Sequence, residues 1–349
     1  MKSTVKKLIG ICLVIMSIFL LVACSDSNNK PESGQKPDES KKVVKFAISH
    51  CQPLDDPFQI AYLDMEKYLE DTGRFDVTIY ANSEFSASEG EAINQVISNV
   101  VQMSQAPSFL IGTTAGVKEF FVYDFPSVFK TVEDYEKIIN SDLSKELAEK
   151  VKQKTGLVLG RGWPNGWMAT GANKSIKTAD DLKGLKLRTP QTEATLAYMK
   201  ELGVNAIPMS FSEVYTGVQQ GTIDGVCTPI RFFASQKFAE VANNIMWDKS
   251  AQIVQLPFVN GGFYDSLDEE AKDILIKGMD LFTDNVQKYA EEQELLAVEK
   301  LKTEYGIDVV MPDQATMDKF EAAGKKVFEA NKSIIGEDFS KKVIELLEK

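Results

Sequence analysis

Short apolar runs alternate with amphipathic stretches over most of the chain. The segment VVKFAI at 43–48 is typical of a buried strand, and FDVTIY at 75–80 alternates as a strand does. Between these two segments, apolar residues recur at helical spacing over 57–72, and Gly73 ends the helix. Strands that alternate with helices predict an α/β fold with mainly parallel sheets.

The same pattern continues toward the C-terminus. It predicts further helices at 89–100, 133–155, 192–202, 210–221, 315–330 and 339–348, and further strands at 157–159 and 185–188. Ser266 and Glu269 have the spacing of a capping box and open a helical stretch that continues toward Tyr305. This stretch is long for a globular protein, so we expect it to bend at Gly278 or to brace two lobes.

The first residues read as a signal for export. Three lysines (Lys2, Lys6 and Lys7) precede an apolar run at 8–22, and LVAC ends at Cys24. A small residue before a cysteine is the pattern of bacterial lipoproteins, which predicts a signal peptide at 1–23 and a lipid on Cys24. An ordinary signal peptide or a signal anchor is the alternative. The polar segment 24–42 is then a disordered tether.

Length and charge narrow the class of protein. The remaining 43–349 are long enough for two hydrophobic cores. The formal net charge of −12 becomes −15 when the three N-terminal lysines are removed, and such a surface does not favour nucleic acid. We therefore expect an acidic protein, anchored by lipid to the outer face of the cell membrane.

Catalytic and metal-binding patterns are missing from the sequence. The one histidine, His50, is followed directly by Cys51, and adjacent strand residues point to opposite faces. No phosphate-binding, dinucleotide-binding or nucleophile-elbow motif is present, so we expect no enzyme and no cofactor or metal. Cys51 and Cys227 could form a disulfide outside the cell, although two free thiols are favoured slightly.

Arg188 is the strongest candidate for a binding residue. It ends a short strand just before Pro190 and the next helix. Ligands of open α/β sheets bind at the carboxyl ends of strands, where a guanidinium can hold a carboxylate with two hydrogen bonds. A structural ion pair with Asp180 or Asp181 explains the same residue equally well.

Three aromatic residues accompany this segment. Trp163 and Trp167 bracket Pro164-Asn165-Gly166, which reads as a turn, and Phe211 stands just before a helix. Such rings belong to a core more often than to a ligand site. A loop between lobes, however, is a common place for a pocket.

Three strings in this region resemble one family. IKTADDLKGLKLR, LGVNAIPMSFSEVYTGVQQG and IDG are similar to the signature of the DctP family, the solute-binding proteins of tripartite ATP-independent periplasmic (TRAP) transporters. Weaker similarity covers roughly 300 residues, including FDVTIYANSEF and VYDFPSVF. The resemblance implies a monomer whose two α/β lobes close on a ligand, with crossing strands and a long helix between them.

The resemblance also implies an organisation and a partner. Lobe I is expected mainly at 43–164 and lobe II mainly at 165–250, with 251–349 shared between them. The closed form would deliver a small organic acid to the membrane subunits of a permease driven by an ion gradient. The alternatives are the binding protein of an ATP-driven transporter, the ligand-delivery domain of a sensory receptor, and a two-lobe enzyme.

Family positions carry over residue by residue. The arginine that binds the ligand carboxylate falls on Arg188, and the aromatic residue that covers the ligand falls on Phe211. Many members have a second arginine where this chain has Met168, and an asparagine where it has Thr228. With one cation fewer, a second buried carboxylate would be unpaired, which predicts a monocarboxylate ligand.

Two weaker candidates come from the N-terminal part of the folded chain. Ser49 and His50 fall where the first strand meets the cleft. Trp163, Trp167 and Phe211 are the candidates for stacking on the apolar part of the ligand.

Overall fold

The computed structural model describes residues 42–190 and 192–349. The predicted signal peptide at 1–23, the lipidation site Cys24 and all but the last residue of the predicted tether lie outside these residues. Within the described ranges, no helix has both the length and the apolar character needed to cross a membrane.

The described chain contains strands and helices in alternation, as the sequence predicts. The strands are β1 (Val44–Ser49), β2 (Phe75–Tyr80), β3 (Met103–Pro107), β4 (Leu157–Leu159), β5 (Trp163–Ala172), β6 (Lys186–Thr189), β7 (Asn205–Pro208), β8 (Gly225–Pro229), β9 (Asn244–Met246) and β10 (Gln252–Asn260). The helices are α1 (Pro57–Asp71), α2 (Glu89–Ile97), α3 (Ser108–Ala115), α4 (Val132–Ile139), α5 (Asp142–Thr155), α6 (Glu193–Glu201), α7 (Val214–Gln219), α8 (Arg231–Ser235), α9 (Gly261–Asp265), α10 (Glu269–Thr303), α11 (Gln314–Asn331) and α12 (Glu337–Leu347).

The strands form one sheet in the order β2-β1-β3-β10-β5-β8-β6-β7, with β4 beside β10 and β9 beside β5. We call β1–β4 with their helices the first lobe and β5–β9 the second lobe. Pairing is parallel within β2-β1-β3 and within β8-β6-β7. The expected parallel pairing therefore holds at both ends of the sheet. At its centre, β10 and β5 pair antiparallel to their neighbours, because these two strands cross between the lobes.

The predicted turn at Pro164-Asn165-Gly166 is wrong, since these residues lie inside β5. Gly166 has a φ of +93°, and the register between β5 and β10 shifts opposite Gln252–Val254. The Gly166 N–H donates to Oε1 of Gln252 at 3.0 Å instead of to a ladder carbonyl. The turn-forming residues thus produce an irregularity within β5. Burial of the strand between its neighbours keeps it continuous.

Helix α10 braces the two lobes. It begins after Asp268, whose side chain accepts from the Ala271 N–H at 2.9 Å, so the N-cap is Asp268 and not the predicted Ser266. The helix packs on α1 of the first lobe and on α8 of the second. Gly278 lies against Leu69 of α1, where an added Cβ would meet Leu69 Cδ2 at 3.0 Å. The glycine therefore permits a close helix crossing within a continuous helix.

The predicted helix at 133–155 is two helices, α4 and α5, which are separated at Asn140 and Ser141. Asn140 ends α4, and its N–H donates to the Glu136 carbonyl at 2.9 Å. Ser141 then adopts an extended conformation before α5. Polar residues that compete for backbone hydrogen bonds make this break, which the apolar spacing alone did not reveal.

Apolar residues form three core clusters. One fills the first lobe around α1 and α10, and one fills the second lobe around α7 and α8. The largest continues behind both lobes and includes residues of α4, α5, α6 and α11. The lobes thus have separate cores on one side of the sheet and share a core on the other.

Candidate functional site

Arg188 lies at the end of β6, beside β8, where it pairs in register with Val226. Its Nε donates to the Met209 carbonyl at 3.1 Å, which fixes the orientation of the guanidinium. The residue is only 7% exposed. Among the described residues, none accepts a hydrogen bond from its Nη amino groups or forms an ion pair with it, so the predicted structural pair with Asp180 or Asp181 does not form.

Burial is the main electrostatic influence on Arg188. Loss of solvent lowers the pKa of the guanidinium to about 10, against the smaller opposing effects of Cys227 and Glu89. The side chain therefore remains a cation at neutral pH. A buried cation with free donors favours an anion that can accept two hydrogen bonds at once.

Phe211 lies next to this cation. A capping box between Ser210 and Glu213 begins the helical turn that holds it. The Phe211 ring centroid is 5.6 Å from Cζ of Arg188, and its ring packs edge-to-face on Phe232 at 5.1 Å. The aromatic packing holds Phe211 beside the guanidinium before any ligand arrives.

Thr228 and Met168 lie on the neighbouring strands. Thr228 of β8 is 1% exposed and pairs with Ala169 of β5, two positions from the residue that pairs with Arg188. Met168 pairs with Pro229 and packs in the large shared core. The position where the family resemblance leads us to expect a second arginine therefore holds a buried thioether.

Ser49 and His50 lie at the end of β1, and internal partners occupy both. The Ser49 and Ser86 hydroxyls are 2.7 Å apart. His50 Nδ1 accepts from the Gln52 N–H at 3.2 Å, so Nε2 carries the proton and donates to Gln59 at 2.7 Å. Burial lowers the pKa of His50 to about 4, which keeps the ring neutral. Both side chains are thus engaged within the first lobe.

The two tryptophans differ. Trp163 is fully buried in the first-lobe core, edge-to-face with Phe58 and Phe282. Trp167 is partly buried and edge-to-face with Tyr135. The structure thus gives Trp163 a packing role and leaves the predicted stacking role to Trp167 and Phe211.

Sequence reasoning missed Glu89. It lies in the first turn of α2, after the N-cap Ser88, and α2 packs against β10. Burial raises the pKa of Glu89 to about 7, while Gln255 and the Arg188 charge oppose that rise. Its position at the predicted start of a helix was the available signal. The proximity to Arg188, 99 positions along the chain, was visible only in the fold.

Two further features fall outside this site. A cavity of about 270 Å³ lies between α5 and the sheet, lined by Tyr123, Ser144, Leu159 and others, and it includes none of the predicted ligand residues. In the part of the chain that the structure describes, no group of three or more acidic, histidine or cysteine side chains could hold a metal. Cys51 and Cys227 are free thiols.

Two lobes on one sheet, two crossing strands and a helix that spans both lobes define the two-lobe periplasmic-binding-protein fold. The profile of the DctP family, described as bacterial extracellular solute-binding protein, family 7, matches residues 48–333. The chain belongs to this family, the solute-binding proteins of TRAP transporters.

Similar proteins agree with this assignment. The C4-dicarboxylate-binding periplasmic protein DctP of Rhodobacter capsulatus is 31% identical over 264 residues, which cover 74% of this chain and 77% of that protein. The sialic acid-binding periplasmic protein SiaP of Vibrio cholerae is 29% identical over 218 residues, 62% of this chain and 67% of that protein. The crystal structure of the sugar acid binding protein DctPAm of Advenella mimigardefordensis with galactonate superposes with a TM-score of 0.83 at 23% identity, covering 88% of this chain and 99% of that one.

Proposed function

We propose that this protein binds a small monocarboxylate outside the cytoplasm and delivers it to the membrane subunits of a TRAP permease driven by an ion gradient. The observation that carries the proposal is the state of Arg188: buried, oriented by the Met209 carbonyl, covered by Phe211, and with Nη donors that no described residue uses. A ligand carboxylate would accept from those donors.

One cation limits the ligand to one carboxylate. Met168 offers no charge, and the carboxyl group that influences the charge of Arg188 is that of the acidic Glu89. A second ligand carboxylate would lose its water without gaining a partner. Burial of such an unpaired charge costs about several kcal/mol of binding free energy. The relative named for C4-dicarboxylates therefore differs from this chain in expected ligand, although the two share a family.

The remaining surface of the ligand would contact neutral groups. The Thr228 hydroxyl can donate or accept one hydrogen bond, and Phe211 and Trp167 offer aromatic faces or edges. We expect hydroxylated or apolar atoms at these positions.

Titration calorimetry with a panel of mono- and dicarboxylates tests the proposal. We expect at least one monocarboxylate to bind. Its dicarboxylate counterpart of equal length should bind at least about tenfold more weakly. Tight binding of dicarboxylates with no binding of any monocarboxylate would contradict it. Ligand recovered chemically unchanged from the complex would agree with a binding protein and argue against a two-lobe enzyme.

Delivery to an ion-driven permease has its own test. Uptake of the bound acid into membrane vesicles that contain the cognate permease should require this protein and a sodium or proton gradient, and should continue without ATP. Uptake that depends on ATP would instead support the binding protein of an ATP-driven transporter.

The proposal includes a lipid anchor at Cys24 and a monomeric state. A Cys24→Ser variant should lose the lipid mass and leave the membrane fraction, because serine offers no thiol for lipid attachment. A Cys51→Ser variant is the matched control and should stay membrane-bound. A Cys24→Ser protein that keeps the lipid mass would exclude this anchor.

A further inference from the structure

A small polar cavity lies where both lobes meet helix α10. Its volume is about 90 Å³, and residues from the N-terminal end of α1, from α8 and from α10 line it. Three of these residues carry a buried polar atom that has no hydrogen-bond partner in the described part of the chain: Oδ2 of Asp56, Nε of Arg231 and Oγ of Ser235. A polar atom is costly to bury unpaired, so three of them around one cavity indicate a shared partner inside it.

Asp56 belongs to the first lobe, and helix α1 fixes its position. The residue is 1% exposed and is the N-cap of α1, since its Oδ1 accepts from the Phe58 N–H at 3.1 Å. The cap uses one carboxylate oxygen and leaves Oδ2 unpaired. The side chain cannot turn Oδ2 toward another donor without losing the cap, which is itself stabilising. The unpaired acceptor is therefore held in place at the cavity.

Arg231 belongs to the second lobe, and the crossing strand β5 fixes its position. The residue is 2% exposed, and its Nη1 and Nη2 groups donate to the carbonyl and to Oδ1 of Asn165 at 2.7 and 2.9 Å. Its Cζ lies 4.1 Å from the ring centroid of Phe232 and 5.9 Å from that of Phe58 in the first lobe. Arg231 and Asp56 thus line one cavity from different lobes, with an unpaired donor on one and an unpaired acceptor on the other.

Arg231 also contacts the irregular part of β5. Gly166 follows Asn165, and a Cβ added at Gly166 would lie 3.4 Å from Arg231 Nη1 and 2.8 Å from Oε1 of Glu294 in α10. The Trp167 N–H donates to the same glutamate oxygen. Arg231 and Glu294 therefore both hold β5 close to the point where its register with β10 shifts. A change at the cavity can act on a strand that joins the lobes.

We propose that this cavity is an ordered-water site that links the two lobes, in which one water molecule accepts from Arg231 Nε and donates to Asp56 Oδ2 and Ser235 Oγ. The cavity is large enough for a water molecule, and about three polar partners are usual for a buried one. A cation would be repelled by the guanidinium and an anion by the carboxylate, whereas water both donates and accepts. The geometry therefore favours water over an ion.

Such a bridge would stabilise one arrangement of the lobes. It forms only while Asp56 and Arg231 keep the separation seen here, because a hydrogen bond weakens steeply with distance. In this arrangement Arg188 is only 7% exposed, as expected for a ligand enclosed between the lobes. The effect on binding rests on the proposed function: apparent affinity is proportional to the fraction of protein in the binding arrangement. The bridge should thus raise affinity for every bound acid by the same factor.

A high-resolution crystal structure tests the bridge directly. We expect one water molecule within hydrogen-bond distance of Asp56 Oδ2, Arg231 Nε and Ser235 Oγ. A direct hydrogen bond between Asp56 and Arg231, an ion in the cavity, or no density between the three atoms would overturn the inference.

Asp56→Ser tests the effect on the lobes, because serine caps a helix about as well as aspartate but has no second oxygen for the cavity. Affinity should fall about tenfold for every acid that binds, and small-angle X-ray scattering should show a more expanded ligand-free protein. Asp313→Ser is the matched control, since Asp313 is the exposed N-cap of α11 and accepts from the Thr316 N–H at 2.8 Å. The control should keep affinity within about twofold and leave the scattering unchanged.

Two outcomes of the Asp56→Ser experiment would contradict the proposal. Unchanged affinity and scattering would show that the cavity does not link the lobes. A loss of affinity that differs strongly from one acid to another would indicate direct contact between Asp56 and the ligand.

Ser235→Ala tests whether the partners share one water molecule. Alone it should weaken binding about fivefold, and combined with Asp56→Ser the loss should stay at about tenfold, because either substitution already disrupts the same bridge. Losses that multiply to about fiftyfold in the double variant would exclude a shared water molecule.

Failure of this inference can be distinguished from failure of the proposed function. If no acid binds, the proposed function fails, and the crystallographic water and the scattering of ligand-free Asp56→Ser still decide the inference. If acids bind through Arg188 with equal affinity in wild type and Asp56→Ser, the inference alone is wrong.

Discussion

The two sides of the lobe boundary are built differently. In the second lobe, Arg188 has one hydrogen bond that orients it and Nη donors that no described residue uses. In the first lobe, the predicted contacts Ser49 and His50 are satisfied by Ser86, Gln52 and Gln59. This difference shows that a polar side chain near the lobe boundary cannot be identified as a ligand contact by its polarity alone. The informative groups are those whose hydrogen bonds are incomplete.

Replacement of Arg188 tests this comparison with the largest expected effect. Arg188→Ala should weaken binding of the monocarboxylate by on the order of 3 kcal/mol, roughly a hundredfold in Kd, because its carboxylate would be left poorly paired. The free energy of unfolding should change little, since no described acidic residue pairs with Arg188. Calorimetry and urea denaturation measure the two quantities.

Arg161→Ala is the matched control for that experiment. Arg161 pairs with Asp284 on the surface, away from β6. Its loss should leave affinity within about twofold of wild type, as is usual for exposed pairs. Equal losses of affinity in both arginine variants would point to net charge instead of a specific site.

Phe211 should have an intermediate effect. Phe211→Ala removes the ring beside the guanidinium and should weaken binding by about 1 kcal/mol, or roughly fivefold. It should also lower stability, because the ring packs on Phe232 and Phe238. Phe211→Leu keeps apolar volume without the aromatic face. If the leucine variant binds the acid with wild-type affinity, aromatic stacking and cation–π contact with Phe211 do not contribute to binding.

His50 should have the smallest effect on binding and a distinct effect on stability. Its pKa of about 4 lies below the ordinary histidine value of 6.5, so the unfolded chain binds a proton in this range that the folded chain does not. Stability should therefore fall as pH decreases from 6.5 toward 4. His50→Gln should reduce that loss by about 2 kcal/mol near pH 4.5, measured by urea denaturation.

The affinity of the same variant completes the comparison. His50→Gln should bind the acid within about twofold of wild type, since glutamine can still donate to Gln59. A loss of affinity as large as that of Arg188→Ala would show that the first lobe contributes as much to binding as the second lobe. The proposed difference between the two lobes would then be wrong.

Much of the local structure could be predicted from the chain. The helix over Pro57–Asp71 and the strand over Phe75–Tyr80 agree with their predictions to within one residue. Both have strong periodicity and clear ends. The capping box at Ser210 and Glu213 also forms as predicted. In these segments the local hydrogen bonds and the tertiary packing favour the same conformation.

The crossing strands could not be located in the same way. β5 contains Pro164 and Gly166, which locally favour a turn, and β10 was not predicted at all. Their conformation depends on pairing with each other and with strands of both lobes, a non-local effect absent from any short window.

The sequence by itself determined the family, the arginine at 188 and the absence of a second arginine at Met168. These depend on residue identity at positions within one short region. Only the tertiary structure decided which polar groups have partners: it paired Ser49 and His50 within the first lobe, buried Trp163, and brought Glu89 close enough to Arg188 for their charges to interact. The physical reason is that a hydrogen bond or a charge interaction depends on distance in space, and these partners come from strands and helices far apart in the chain.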